Sequence, residues 1–161
     1  MKLKTYLAVL LVFWCLAAFS QAANPNHDAS AYANRWRPTQ YIMAQNGVAK
    51  IGVPPSPTHV SALWDFTDVV VNDTLSYITL HSKANFKMLL NIEKGKVELS
   101  EVPTSFWSAQ WYLEYINDNG KVWWRIKNRW KGTYLNIEKG VLECTAVPAA
   151  FLSSHWEAIS N

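Results

Sequence analysis

An internal repeat is the feature of this sequence that most constrains its fold. Residues 90–95 read Leu-Asn-Ile-Glu-Lys-Gly, and residues 135–140 read the same six letters 45 positions later. The register then continues without a gap to a tryptophan, Trp111 in one copy and Trp156 in the other. A match sustained over that length predicts a duplicated structural unit.

A weaker third copy lies nearer the N-terminus. Tyr41, Gly47 and Pro55 occur 48 positions before their counterparts in the next copy, and this copy also closes on a tryptophan, Trp64. The matches predict three units of under fifty residues. Their expected bounds are about 30–63, 64–110 and 111–155, with a closing strand at 156–160.

The first residues are typical of a secretion signal. Lys2 and Lys4 precede an apolar run over residues 7–19, and small residues around Ala22 suit a signal peptidase, so we expect cleavage after Ala22. A membrane anchor is the alternative, but the run is shorter than the ~20 residues that span a bilayer. We therefore expect a signal peptide at 1–22, a short leader at 23–29, no membrane span after cleavage, and an extracellular or periplasmic location.

Charge and cysteine content restrict the partners of the remaining chain. Removing Lys2 and Lys4 lowers the formal net charge from +3 to +1, which gives no reason to expect nucleic acid or an anionic membrane as a partner. Cys15 leaves with the signal, so Cys144 stands alone and no internal disulfide is expected. Cys144 falls at the repeat position of Ile51 and Leu99, which favours a buried apolar role over a reactive thiol.

Strand-length alternation of apolar and polar residues predicts an all-β fold. Leu135 and Ile137 alternate with Asn136 and Glu138, as a half-buried strand requires. The glycine after each such strand is a hairpin turn residue. Three units of four strands predict a β-trefoil, a six-stranded barrel capped by three hairpins, in which the closing strand pairs the two ends of the domain. A β-sandwich is the rival, but it predicts no threefold repeat.

The sequence lacks the usual patterns of a catalytic centre. It contains no His-x-x-x-His or Cys-x-x-Cys spacing for zinc and no Gly-x-Ser-x-Gly or phosphate-binding glycine loop. Glu93 and Glu138 repeat, but in separate units they should lie too far apart for a glycosidase pair, which needs about 5–10 Å. We therefore expect no enzyme activity, no metal and no cofactor.

Repeated aromatic and polar residues indicate a binding surface. Trp36, Phe86 and Trp130 are expected at hairpin tips, where an exposed ring can stack on a sugar. Asn91 and Asn136, with the glutamates two positions later, are expected to project outward and hydrogen-bond sugar hydroxyls. The predicted site residues are Trp130, Asn136, Glu138, Arg129, Asn128, Phe86, Asn91, Glu93 and Trp36.

Structural interpretations compete with this one. The tryptophans could fold back over the barrel, and the asparagines could cap turns. The proline-led segments 103–111 and 148–156 look functional, but we favour a structural role in which the phenylalanine and tryptophan of each segment plug the barrel base. Stacking on nucleic-acid bases uses similar residues, but a near-neutral chain makes it a poor third possibility.

A strand of the type Gly-x-Tyr-Leu-Asn and a closing tryptophan in each unit resemble the ricin-type β-trefoil lectin and carbohydrate-binding-module superfamily. The resemblance covers nearly all of residues 30–161 and implies sugar binding in up to three shallow sites. The family's Gln-x-Trp signature keeps its tryptophan here but loses the glutamine, and its ligand-binding aspartate matches Asn91, Asn136 and Met43. The family's disulfide within each unit is also absent.

These observations together predict a secreted, non-catalytic carbohydrate-binding protein with two sites. Arg129, Lys87 and Lys131 favour an acidic glycan, and two weak sites on one domain gain avidity on a polymer. The alternative is a secreted trefoil that binds a protein, as an inhibitor or toxin-like effector, through one unmatched loop at residues 69–75. A purely structural role is a third possibility. Asn72 begins a glycosylation sequon.

Overall fold

The computed structural model describes residues 29–72 and 74–160 of the 161-residue chain. The predicted signal peptide and almost all of the predicted leader lie outside the described residues. Within these described residues, twelve strands follow one another. They are β1 (Ser30–Asn34), β2 (Tyr41–Gln45), β3 (Val48–Gly52), β4 (Leu63–Asn72), β5 (Leu75–Ser82), β6 (Asn85–Asn91), β7 (Glu98–Ser100), β8 (Gln110–Asp118), β9 (Lys121–Asn128), β10 (Tyr134–Asn136), β11 (Glu143–Thr145) and β12 (Trp156–Ser160).

Six of these strands form a closed barrel. Strand β1 pairs with β4, β4 with β5, β5 with β8, β8 with β9, β9 with β12, and β12 returns to β1, all antiparallel. The last step pairs Ser30 with Ser160 and Asn34 with Trp156. The all-β prediction is confirmed, as is the expectation that the final strand joins the two ends of the domain. The sandwich alternative is wrong.

The other six strands form three hairpins, β2–β3, β6–β7 and β10–β11. Each hairpin turns at a glycine with positive φ, at Gly47, Gly95 and Gly140. Glycine adopts this conformation without the steric cost that a Cβ would impose. In each hairpin one apolar pair lies at the same register position, Ile42 with Ile51, Leu90 with Leu99, and Leu135 with Cys144. The shared position of Cys144 with Ile51 and Leu99 is therefore confirmed.

Three tryptophans lie at the centre of the core. Trp64, Trp111 and Trp156 are fully buried, and each indole N–H donates to a main-chain carbonyl of its own hairpin, at Ile42, Leu90 and Leu135 respectively. A buried indole N–H needs such a partner, since an unpaired donor away from water is costly. The closing tryptophans thus fasten each hairpin to the barrel.

A short 3-10 turn precedes each closing tryptophan. The turns comprise Val60–Ala62, Trp107–Ala109 and Leu152–Ser154. The central serine of each turn is buried, while flanking apolar side chains such as Trp107 and Leu152 remain exposed. These turns form one wall of the surface described next.

Candidate functional site

An open crevice of about 370 Å³ lies where the loop between β9 and β10 meets the 3-10 turn that precedes β8. We call it the first crevice. It is lined by Glu93, Ser105, Phe106, Trp107, Ser108 and Trp130. Three aromatic side chains in this group are exposed, Trp107 by 55%, Trp130 by 45% and Phe106 by 42%. An exposed aromatic group beside a carboxylate is a common arrangement for binding polar ligands.

Asn128 holds the two walls of this crevice together. Its buried side-chain amide donates to the main-chain carbonyls of Ser108 and Gln110 at 2.9 and 3.4 Å. Its Oδ1 accepts the N–H groups of Trp130 and Lys131 at 3.0 and 3.2 Å. One buried side chain therefore fixes the Trp130 loop against the turn that carries Trp107.

A carboxylate and a serine form the floor. The Ser108 hydroxyl donates to Oε2 of Glu93. The N–H of Glu93 in turn donates to Oδ1 of Asn91 at 3.0 Å. Glu93 is an exposed residue. The bonds with Ser108 and Asn91 therefore orient a carboxylate that solvent can reach towards the crevice.

Cationic side chains lie against the aromatic rings. The guanidinium of Arg129 lies 4.4 Å from the centroid of Trp107, and its Nη1 donates to Oε1 of Gln110 at 2.5 Å. The ammonium of Lys131 lies 4.0 Å from the centroid of Trp130. These contacts restrain both cations through cation–π attraction.

The same hydrogen-bonded construction recurs where the β1–β2 loop meets the 3-10 turn before β12, and we call the surface at this junction the second crevice. Asn34 donates to the carbonyls of Ser153 and His155, and its Oδ1 accepts the N–H groups of Trp36 and Arg37. The Ser153 hydroxyl donates to the carboxylate of Glu138.

The second crevice has less aromatic surface than the first. Leu152 stands where the first crevice has Trp107, although Phe151 and Trp36 remain exposed. The second crevice therefore offers less apolar contact area to a ligand than the first.

The third junction, where β5 leads into β6, lacks this construction. Ser82 lies opposite Trp64 in the sheet. Asn34 occupies the same position opposite Trp156, and Asn128 occupies it opposite Trp111. A serine is too short to bridge two chain segments, and the buried Ser82 Oγ has no hydrogen-bond partner among the described residues. The neighbouring cavity has Gln45 where the other units have glutamate.

Two sequence-based expectations about the asparagines are wrong. Asn91 and Asn136 do not project outward; both side chains are fully buried. Each amide donates to a carbonyl two residues earlier and to a hydroxyl on the facing strand, Ser100 or Thr145. They follow the interpretation in which asparagine stabilises a turn, as do Asn34 and Asn128.

The expected location of Phe86 is also wrong. It lies in strand β6 rather than at the tip of the turn, and it stacks on the buried ring of His81 with centroids 4.3 Å apart. Its side chain is nevertheless 57% exposed. Phe86 is thus a surface aromatic group without a place in either crevice.

The sequence also suggested the wrong partners. Trp130, Asn136 and Glu138 belong to one unit, yet the structure places Trp130 beside Glu93 of the preceding unit. Likewise Trp36 lies in the loop that Asn34 ties to Ser153, the residue bonded to Glu138. Each crevice is therefore shared between two units.

Sequence reasoning missed Phe106, Trp107, Ser108 and Ser153. The repeated proline-led segments contained the signal, but we interpreted their apolar residues as a plug for the barrel. That interpretation is wrong for Phe106, Trp107, Phe151 and Leu152, which are exposed. The closing tryptophans of the same segments, Trp111 and Trp156, are buried in the core.

Two titratable groups near these elements have shifted pKa values. Burial lowers the pKa of His155; its Nε2 faces the carbonyl of Ala149 at 2.7 Å and its Nδ1 faces Arg35 at 3.3 Å. Burial raises the pKa of the Cys144 thiol to about 11, although a hydrogen bond with Thr133 opposes the shift. A thiol with that pKa stays protonated at neutral pH and is a poor nucleophile.

Within residues 29–72 and 74–160, no group of three or more His, Cys, Asp or Glu side chains is arranged to hold a metal ion. The same described residues include no helix long and apolar enough to cross a membrane.

Comparison with solved structures finds proteins that share this fold. The GlcNAcα1-4Gal-releasing endo-β-galactosidase from Clostridium perfringens matches 83% of the chain at 26% identity and a TM-score of 0.67. SeviL, solved with asialo-GM1 saccharide, matches 83% at 19% identity and 0.63. The Polyporus squamosus lectin, bound to the epitope Neu5Acα2-6Galβ1-4GlcNAc, matches 83% at 16% identity and 0.65.

The match spans 97% of the SeviL chain but only 32% of the endo-β-galactosidase and 49% of the Polyporus lectin. No protein-family profile matches the sequence, and no curated protein matches it either. The resemblance to ricin-type β-trefoil lectins and carbohydrate-binding modules is confirmed at the level of the fold.

Proposed function

We propose that the chain is a secreted, non-catalytic carbohydrate-binding protein, a β-trefoil of three units without an internal disulfide. The observation that carries the proposal is the first crevice, in which the exposed Trp107 and Trp130 lie with a glutamate that a serine orients, and the serine–glutamate bond recurs at a second junction between units. The fold neighbours that were solved with bound saccharides support the ligand class.

The chemistry of the first crevice suits a sugar ring. Trp107 and Trp130 offer apolar faces for the C–H side of the ring, and a rigid aromatic side chain loses little entropy on binding. The Ser108 hydroxyl uses Oε2 of Glu93, so Oε1 is the atom that we assign to sugar hydroxyls. The second crevice acts in the same way through Trp36 and Glu138, with lower affinity.

Two crevices on one domain suit a polymeric ligand. A second binding event on the same chain becomes intramolecular, which raises the apparent affinity without new contacts. Among the predicted site residues, Trp130, Glu93, Trp36 and Glu138 are assigned to direct contact. Asn128 is assigned to positioning the Trp130 loop, and Arg129 to restraining Trp107.

The test is a glycan and polysaccharide binding screen of residues 23–161, followed by titration with tryptophan fluorescence. We expect Trp130→Ala and Glu93→Gln each to weaken binding at the first crevice about tenfold or more, because each removes a central contact. Glu101→Gln is the matched control, since Glu101 is exposed but does not line the crevice. Absence of binding to every neutral and acidic glycan would refute the proposal.

A protein partner is the second candidate, and the hairpin between β4 and β5 favours it. Val70 is 73% exposed and Val71 is 43% exposed. Exposed apolar side chains lower solubility, so their presence here favours a surface that a partner covers. A partner that binds the wild type but not Val70→Ser, and whose binding is unchanged by Trp130→Ala, would select this alternative.

Secretion is tested by mass spectrometry of the exported protein. We expect the mass of a chain that begins at Ala23.

A further inference from the structure

A small second cavity of about 190 Å³ lies on the barrel wall close to the first crevice. Its lining includes Tyr77, Tyr112, Glu114, Lys127, Arg129 and Gly132. The two tyrosine rings meet edge to face, with centroids 6.3 Å apart and an interplanar angle of 67°. The cavity therefore combines an aromatic wall with a carboxylate and an ammonium group.

The polar side of this cavity is held rigidly. Oε1 of Glu114 accepts a hydrogen bond from the Tyr134 hydroxyl at 3.0 Å and one from Lys127 Nζ at 3.3 Å. The guanidinium of Arg125, which is buried, lies 3.6 Å from Oε2. Such a carboxylate is oriented before any ligand arrives, which lowers the entropic cost of binding.

Arg129 lines this cavity and also contacts Trp107, which lines the first crevice. Its guanidinium carbon lies 4.5 Å from the centroid of Tyr77 and 4.4 Å from that of Trp107. The centroids of the two rings are therefore no more than about 9 Å apart, and both rings contact the same side chain. The hydrogen bond from Arg129 Nη1 to Oε1 of Gln110 restrains the guanidinium in this position.

We propose that the Tyr77–Tyr112 cavity is a second subsite, so that the first crevice takes a chain of at least two linked sugars rather than one terminal sugar. One ring stacks between Trp107 and Trp130, the linkage crosses Arg129, and the next ring contacts Tyr112 and hydrogen-bonds Glu114 and Lys127. This inference rests on the proposed function and specifies its ligand as an oligosaccharide.

The test measures affinity against ligand length. Galacto- and xylo-oligosaccharides of one to four residues are titrated by calorimetry against Trp36→Ala, in which the second crevice is disabled. We expect affinity to rise about tenfold or more between one residue and two or three residues. Adding Tyr112→Ala should abolish this gain while leaving the affinity for the monosaccharide unchanged.

Tyr115→Ala is the matched control, because Tyr115 is an exposed tyrosine three positions along the same strand and does not line the cavity. Urea unfolding of both variants shows whether the fold is retained. Equal affinity for all lengths, with the monosaccharide bound, would overturn the subsite and leave the proposed function intact. An undiminished length effect in Tyr112→Ala would also overturn it, and absence of binding to any length would overturn both for these sugars.

Discussion

At the scale of single residues, four buried asparagines carry much of the structural specificity. Asn34 and Asn128 bridge neighbouring units, while Asn91 and Asn136 close the turns before Glu93 and Glu138. Each amide uses both its donor and its acceptor, as a buried polar group must. An asparagine at such a position supports the surface of a crevice while its own side chain stays buried.

Asn136→Ala should therefore lower the free energy of unfolding rather than the affinity of the first crevice. The change leaves the Glu138 N–H and the Thr145 hydroxyl without their partner, which costs about 1–3 kcal/mol. Urea unfolding measures the loss, and glycan titration of the folded variant measures binding. Unchanged stability with lost binding would instead support a direct contact between Asn136 and the sugar.

His155 makes stability depend on pH. With Nε2 donating to the Ala149 carbonyl, Nδ1 is the acceptor for Arg35, so protonation of Nδ1 removes that bond and adds a charge beside Arg35 and Arg125, opposed by Asp118. The folded pKa lies below the unfolded value, so the unfolded state binds more protons and stability falls as pH drops through about 6.5.

The check is urea unfolding of the wild type and His155→Gln at pH 7.5 and pH 5.5. We expect the wild type to lose more stability than the variant between these two values, since glutamine does not titrate. An equal loss in both proteins would show that other groups set the pH dependence.

At the scale of elements, the turn of each hairpin depends on a backbone conformation that glycine adopts readily. Gly95 adopts φ of +78°, and a Cβ placed there would meet no atom within 4 Å. Space is therefore available, and only the left-handed conformation opposes a larger residue. The turn is short and exposed, so its sequence can vary only within residues that tolerate this conformation.

Gly95→Ala should destabilise the protein by about 1–2 kcal/mol, the cost of the left-handed conformation for an L-residue. Gly95→Asn should cost less, because asparagine tolerates that region better. Thermal or urea unfolding measures both, with Lys96→Ala as the neighbouring control. If alanine and asparagine cost the same, backbone strain is not the cause.

At the scale of the whole molecule, the barrel is closed by its two chain ends. Strand β12 pairs with β1 along five register positions and with β9 through Trp156, whose side chain is fully buried in the core. Loss of this strand exposes two barrel edges and removes one of the three central tryptophans. Closure of this kind makes distant parts of the chain fold as one unit.

Deletion of residues 156–161 should therefore abolish the cooperative unfolding transition rather than merely lower its midpoint. Removing a buried tryptophan side chain alone typically costs about 3–5 kcal/mol, a large share of a domain's stability. Deletion of Asn161 alone is the control. A sharp transition in the larger deletion, followed by circular dichroism, would show that the barrel does not need its final strand.

The sequence by itself determined the all-β fold, the three hairpins and the barrel closure. The repeat, the closing tryptophans Trp64, Trp111 and Trp156, and the glycines at the turns are local patterns. Each has a direct consequence for the backbone, because alternation sets the buried face of a strand and glycine allows the turn. The contact of β12 with β1 followed from the order of the units.

Only the tertiary structure decided which side chains share a crevice and which are buried. Trp130 meets Glu93 and Trp107 rather than Glu138, because the units join along their edges and Asn128 fastens one unit's loop to its neighbour's turn. The alternation of residues 135–138 predicts that Asn136 faces solvent together with Glu138. In the structure its amide instead hydrogen-bonds main-chain groups of Tyr134 and Glu138. Such long-range hydrogen bonds and packing leave no periodic signal in the sequence, so the site could be assigned only after the chain was folded.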